Sequence, residues 1–351
     1  MSVRIDARSG QMKYAAVAVL SALSAVVQAQ SSVTVFGILD LGVRQVKNGD
    51  QSVSSVSNGG LSTSRIGFRG VEDLGDGLSA SFWLESGIRA DTGTNVDTTR
   101  FFDRRSTVSL LGSLGELRVG RDKVPTYTLV EEFSAFGVSG VGSVDKFFST
   151  LGTAVDTNKR ADNMVQYFLP SKSSGFYGGL AAAPGEGTAG KKYFGARAGY
   201  AAHAADVTLA YGQTTVNPTA SGDDKFEFVA AGAAYDFQVV KVLGSYTEQK
   251  FANLKLDVAN IGVLIPLGGG TVRVNYVHAD SKGPSIDQND ADQFAIGYVY
   301  DLSKRTALYG TYARVNNKGN ANFVVDGNPA LPSPNPGKDS TGYEVGIRHK
   351  F

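Results

Sequence analysis

The amino-acid sequence predicts an all-β chain, an antiparallel transmembrane β-barrel of about sixteen strands. Three observations carry that expectation. Apolar side chains recur at every second position through most of the chain. Short turns alternate with long polar loops. After an export leader, no apolar run is long enough to cross a bilayer as a helix.

The leader is met first. From Tyr14 to Val27, after Lys13, the sequence is apolar or small throughout, and it closes on Val27-Gln28-Ala29, the small-residue pattern of a signal-peptidase site. Cleavage is expected after Ala29, which makes residues 1–29 a signal peptide and 30–351 the mature chain. The stretch is shorter than the ~20 residues of a spanning helix, so export is favoured over anchoring. Val3 to Arg8 is unusual in a leader, and translation from Met12 is the alternative start.

Removing Arg4, Arg8, Lys13 and Asp6 from the totals of 34 basic and 33 acidic residues leaves 31 and 32 in the mature chain. So even a balance argues against a nucleic-acid partner. With no cysteine, neither a disulfide framework nor a thiolate metal site can form. Glycine is abundant (43) and proline scarce (10), and the hydrophobic share is 42%. A membrane barrel spreads its lipophilicity by alternation instead of gathering it into runs.

The strands follow in order. Val33, Val35, Leu39, Leu41 and Val43 share one face, with Thr34, Asp40 and Arg44 on the other. The same period recurs in Ile66 and Phe68, in Leu78, Ala80, Phe82 and Leu84, and in Val108 and Leu110. It returns in Val207, Leu209 and Tyr211, in Val272, Val274 and Tyr276, and in Phe294, Ile296, Tyr298 and Tyr300. Ser113-Leu114-Gly115, Pro266 to Gly270 and Asp301 to Lys304 read as tight turns. Residues 45–60, 90–100, 122–158, 281–290 and 316–339 read as long polar loops. Short periplasmic turns and longer external loops are the asymmetry of a transmembrane barrel, and an even strand number puts both termini on the periplasmic side.

A soluble β-sandwich also alternates, but its strands average about 5–6 residues, and many here run to the ~9–11 of a tilted bilayer-spanning strand. Aromatic residues at strand ends, Phe101, Phe102, Tyr298, Tyr300, Tyr309 and Tyr312, fit interfacial girdles. In the final strand Tyr343, Val345, Ile347 and Phe351 share a face, as suits a last strand that pairs with the first.

Strand parity then selects the charges that line the lumen. With Ile66 and Phe68 facing lipid, Arg65 and Arg69 face inward, since the reverse would cost about 2–4 kcal/mol for each arginine near the midplane. The same parity turns Glu85 inward, together with Trp83. It turns Arg105 inward with Thr107 and Ser109, provided that Val108 and Leu110 face out. Val165, Tyr167 and Leu169 share an outer face, so Gln166 and Arg160 point in.

Several segments together resemble a known family, the trimeric general porins of Gram-negative bacteria, and in particular the anion-selective β-proteobacterial (Burkholderiales-type) branch. They are Ser32 to Asp40, Ser62 to Gly75, Arg104 to Val108, Val119-Gly120-Arg121, Leu302 to Tyr309 and Gly346 to Phe351. The resemblance covers the mature chain. It implies a sixteen-stranded barrel in the outer membrane, a homotrimer, and a third external loop, residues 122–158, that folds inward and narrows the lumen. It further implies a basic wall at the constriction from Arg65, Arg160 and one of Arg104 and Arg105, with Glu85 nearby and the loop acids Asp122, Glu131 and Glu132 opposite. Which member of the arginine pair enters the lumen stays open at this point, Arg105 being favoured, and so does the choice of loop acid.

The function expected is general diffusion of ions and small hydrophilic solutes, with anion preference because rings of arginine favour anions. Its surroundings would be outer-membrane lipid and lipopolysaccharide. A substrate-specific channel is the alternative, but Trp83 alone does not make an aromatic slide. An enzyme is a weaker alternative. His203, His278 and His349 have neither a Gly-x-Ser-x-Gly elbow nor metal-pair spacing. Gly268-Gly269-Gly270 lacks the lysine of a phosphate loop, and the acidic pairs at Asp223-Asp224 and Asp287 to Asp290 read as solvated loops. No cofactor and no metal are expected.

Overall fold

The computed structural model describes residues 32–170, 175–325 and 335–351; the expected leader lies outside them. The first stave of the barrel is β1 (Ser32–Asn48). The second is broken into β2 (Gln51–Asn58), paired with the upper part of β1, and β3 (Arg65–Gly75), paired with its lower part. β4 (Leu78–Arg89) follows, with the two-residue β5 (Thr94–Asn95) folded back on its end. Then come β6 (Arg105–Gly112), β7 (Gly115–Lys123), β8 (Arg160–Phe168), β9 (Gly175–Ala183), β10 (Lys192–Ala202) and β11 (Ala205–Thr215). The circuit continues through β12 (Lys225–Asp236), β13 (Lys241–Phe251), β14 (Leu254–Leu267), β15 (Gly270–Lys282), β16 (Ala291–Asp301), β17 (Thr306–Asn317) and β18 (Ser340–Lys350). β18 pairs with β1 from Ile38 opposite Lys350 to Asn48 opposite Ser340, which closes sixteen antiparallel staves without a free edge.

The alternation has the predicted sense. Val43, Val108, Leu209 and Val345 stand exposed on the outer wall, while Thr107, Ser109 and Gln166 are buried inside. Turns at one end are tight. Gly268 and Gly269, at φ 55° and 83°, form a two-residue hairpin turn that needs left-handed backbone twice in succession.

The expected loops are shorter than the sequence suggested, because strands continue into them. Residues 45–60 are largely a hairpin, β1 running to Asn48 and β2 returning from Gln51 around Gly49, whose φ of 57° suits the first position of such a turn. Likewise β15 continues to Lys282 and β17 to Asn317. The long segment expected at 122–158 begins at Val124, since Asp122 and Lys123 still belong to β7. Tyr309 is not a girdle residue. Its ring is buried inside the barrel and its hydroxyl donates to Asp40 Oδ1 at 2.7 Å.

Residues 124–159 fold into the lumen and supply the core. The helix α1 (Pro125–Glu132) opens with proline at its first position, where no amide hydrogen is needed, and closes where the Phe133 amide donates to Leu129 O at 3.0 Å. Leu129, Val130, Phe133, Val141 and Phe147 are buried against Phe226, Phe228, Val258, Val277, Ala313 and Val315 on the inner wall. Inward amides fasten the backbone of the segment. Asn260 Nδ2 donates to Phe133 O (2.9 Å), Gln293 Nε2 to Gly142 O (3.1 Å), and Gln249 Oε1 accepts from Ser149 N (2.8 Å). At the tip, Glu344 Oε1 accepts from Val141 N at 3.1 Å while its other oxygen accepts from Arg44 Nε at 2.7 Å. Val124 and Tyr127 also pack on Ala181, Ala183 and Tyr193, so the loop covers the wall from β9 to β18 and leaves the lumen open toward β3–β8.

Candidate functional site

On that open side the wall is charged. β3 and β4 pair Arg65 with Gly87 and Gly67 with Glu85, which brings Arg65 Nη1 to 3.2 Å from Glu85 Oε1. Arg104 Nε donates to the same oxygen at 2.5 Å, and Trp83 Nε1 donates to Glu85 Oε2 at 3.1 Å. One carboxylate therefore holds two guanidinium groups that would repel each other unaided. Arg105 and Arg118 share Asp122, whose Oδ2 lies 3.5 Å from Arg105 Nε and 2.6 Å from Arg118 Nη1. Arg105 also stacks over Trp83, 4.7 Å from the ring centroid.

Arg104 and Arg105 both enter the lumen. Arg105 does so by parity. Arg104 precedes β6, where its amide donates to Glu85 O and the backbone has not yet begun to alternate. Arg160 arrives by a different route from the one parity gives. The register of β7 and β8 shifts between Gly120 and Asp122, and Asn163 takes a φ of 55°. That bulge breaks the alternation between Gln166 and Arg160. The Arg160 guanidinium still reaches the cluster, with Nε 2.8 Å from Arg104 O and its plane 5.8 Å from the Tyr127 ring.

Three expected residues stand elsewhere. Asp122 belongs to the basic wall, where β7 carries it inward between Arg118 and Arg105, and it is not opposite that wall. Glu131 and Glu132 lie on α1 as neutralised groups: Glu131 pairs with Lys123, and Glu132 Oε2 accepts from Arg197 Nη2 at 2.5 Å. Arg69 faces inward between the rings of Phe36 and Trp83, 5.3 and 5.2 Å from their centroids. Four residues along β3 put it about 13 Å from Arg65, toward the short-turn end and away from the cluster.

Two cavities meet at this cluster. One of about 770 Å³ runs along β4–β10 and is lined by Arg65, Glu85, Arg104, Arg105, Arg118 and Arg160 among others. The other, of about 330 Å³, lies between Arg65, Arg104, the loop residues Glu131 to Ser139, and Lys241, Arg273 and Arg348 on β13, β15 and β18. Together their linings carry ten basic and five acidic side chains, so a passing ion meets net positive charge. Arg118, Arg197, Arg273 and Arg348 escaped the sequence reading although its own rule finds three of them. Leu117 and Val119 face out, as do Val272 and Val274, and Val345 and Ile347, which turns Arg118, Arg273 and Arg348 in. Among the described residues no group of three or more potential metal ligands occurs.

A family model described as Gram-negative porin matches residues 16–320. The outer membrane porin protein 32 of Delftia acidovorans is 39% identical, over 96% of this chain and 98% of its own length. An outer membrane porin of Bordetella pertussis is 31% identical over the same shares of the two chains. Among solved structures, an anion-selective porin from Comamonas acidovorans superposes with a TM-score of 0.83 at 36% identity, over 92% of this chain and all of that one.

Proposed function

Because the chain belongs to the Gram-negative porin family, and is thus an outer-membrane channel, we propose that it is a general-diffusion pore that prefers anions. The observation that carries the preference is the excess of ten basic over five acidic side chains in the lining. Charges gathered in a narrow, low-dielectric passage concentrate their counter-ions, and the similar porin from Comamonas is described as anion-selective. In this reading Arg65, Arg104, Arg105 and Arg160 attract the anion, Glu85 and Asp122 hold those arginines apart, and residues 124–159 set the narrowest passage. Transport is passive, with no catalytic step. Residues 1–29 serve as the export leader.

We further propose a homotrimer in which β1–β7 face the neighbouring subunits. After Tyr14 the next tyrosine is Tyr127, so the outer face of β1–β7 carries none. Exposed tyrosines stand on the outer wall from Tyr167 onward, among them Tyr200, Tyr235, Tyr246, Tyr276, Tyr300 and Tyr312. Tyrosine belts mark the wall that meets the lipid interface, where phospholipid and lipopolysaccharide would lie.

Zero-current potentials in planar bilayers under a potassium chloride gradient test the preference. Anion selectivity is expected in the wild type, weakened in Arg65→Ser. Cation preference in the wild type, or no change in the variant, would refute it. Liposome swelling with neutral sugars of increasing size separates general diffusion, which depends on size alone, from a saturable specific channel.

A further inference from the structure

The inward arginines differ in how far their charge is already neutralised. On the β3–β8 wall Arg65 and Arg104 share Glu85, and Arg105 and Arg118 share Asp122. Farther round the wall, Arg273 on β15 has one hydrogen bond, from Nη1 to Ala135 O at 3.3 Å, and Arg348 on β18 has one ion pair, with Asp301 at 4.0 Å. The Nε atoms of both are buried and make no hydrogen bond. A buried charged donor left without an acceptor is costly. A guanidinium also presents its donors as a planar fork, which suits two oxygens of one anion.

The two side chains line the same cavity of about 330 Å³. In the register, Gly297 stands opposite Arg273, and Arg348 lies between Ala307 and Asp40, whose carboxylate oxygens already accept from the Tyr309 hydroxyl and from the amides of Leu61 and Ser62. The acids on that cavity, Glu131 and Glu132, are engaged by Lys123 and Arg197. Lys241, also in the lining, adds a further positive charge and makes no ion pair among the described residues. Arg273 lies near the tight turn that opens β15, and Arg348 near the C-terminal end of β18.

We infer that Arg273 and Arg348 form a second anion-holding station, beside the Arg65–Arg104 cluster on the same cavity, that takes a small oxyanion such as inorganic phosphate or a carboxylate. The inference rests on the anion-preferring reading. An anion at the first cluster is passed to the less neutralised guanidinium groups of β15 and β18, so the cavity holds two neighbouring wells. An oxyanion dwells longer in the second than chloride, which cannot bridge a fork with two acceptor atoms.

The test is the chloride current of single pores in the presence of increasing inorganic phosphate. Arg348→Gln is the main variant because Arg348, unlike Arg273, makes no hydrogen bond to residues 124–159 among the described residues; Arg348→Lys keeps the charge and removes the fork. Phosphate should block the wild-type current. In Arg348→Gln the half-blocking concentration should rise roughly threefold to tenfold, the scale of one lost charge-assisted contact. The zero-current potential should stay on the anion side, because the first cluster is intact. Arg348→Lys should weaken the block while leaving that potential near the wild-type value. Phosphate block unchanged in Arg348→Gln or in Arg348→Lys would overturn the station and leave the anion-preferring channel standing. A wild-type pore that prefers cations and is not blocked by phosphate would overturn both.

Discussion

Glu85 is the residue on which the basic wall turns. It accepts from Arg65, Arg104 and Trp83, so its single negative charge permits two guanidinium groups to face the same passage. Neutralising it should strengthen the anion preference. A unit charge about 8 Å from an ion in water contributes roughly 0.5 kcal/mol. That helps one sign and hinders the other, so Glu85→Gln should raise the anion-to-cation permeability ratio by about twofold to fivefold. The zero-current potential reads this directly, and a fall in the ratio would mean that Glu85 organises the arginines more than it offsets them. Parity made Arg65, Glu85 and Arg105 legible because each stands an odd number of residues from a lipid-facing side chain of its own strand, Ile66, Leu84 and Val108. It missed Arg104 because that residue stands one step before regular backbone. It misjudged the route of Arg160 because a bulge uses up the count, and no periodic pattern announces a bulge.

The inserted segment 124–159 owes its position to an inner wall that is apolar as well. Val277, Ala279, Ala291, Ala295, Ala313 and Val315 all point inward and are buried. A stave facing only water would not need them, so β15–β17 read as apolar on both faces. That double pattern is visible in the sequence and marks which arc the loop covers. The tip depends on a close approach. Gly140 lies at φ 72°, and a methyl group there would run into Gly60 O and the Glu344 carboxylate. Gly140→Ala should therefore lift the tip from Glu344, widening the passage. Single-channel recordings should show a larger and noisier conductance, whereas a current indistinguishable from wild type would show that the amide anchors from Gln249, Asn260 and Gln293 hold the segment without its tip. Those anchors join residues about 100 to 150 positions apart in sequence, and no local pattern encodes such pairings.

For the whole molecule, the decisive asymmetry lies around the outer wall. Sixteen staves, their direction and their lumen-facing parity follow from alternation and turn spacing. An apolar face in contact with lipid and one in contact with another subunit obey the same alternation, so parity cannot separate them; the distribution of tyrosine can. Val43 on β1 is 67% exposed and Leu209 on β11 is 65% exposed, a matched pair on the two arcs. Arginine at either position puts a charge on an apolar outer wall, but the consequences differ. Leu209→Arg meets hydrocarbon and should destabilise the folded barrel by about 2–4 kcal/mol if it lies near the midplane, read as a lower urea midpoint with the oligomer retained. In the proposed trimer Val43→Arg meets a neighbouring protomer, where like charges near a threefold axis repel. It should dissociate the oligomer in mild detergent while each barrel keeps its β-sheet circular dichroism. Sedimentation in detergent distinguishes the two. Dissociation by Leu209→Arg with Val43→Arg still trimeric would move the subunit interface to the tyrosine-bearing arc and require a different account of why β1–β7 have none.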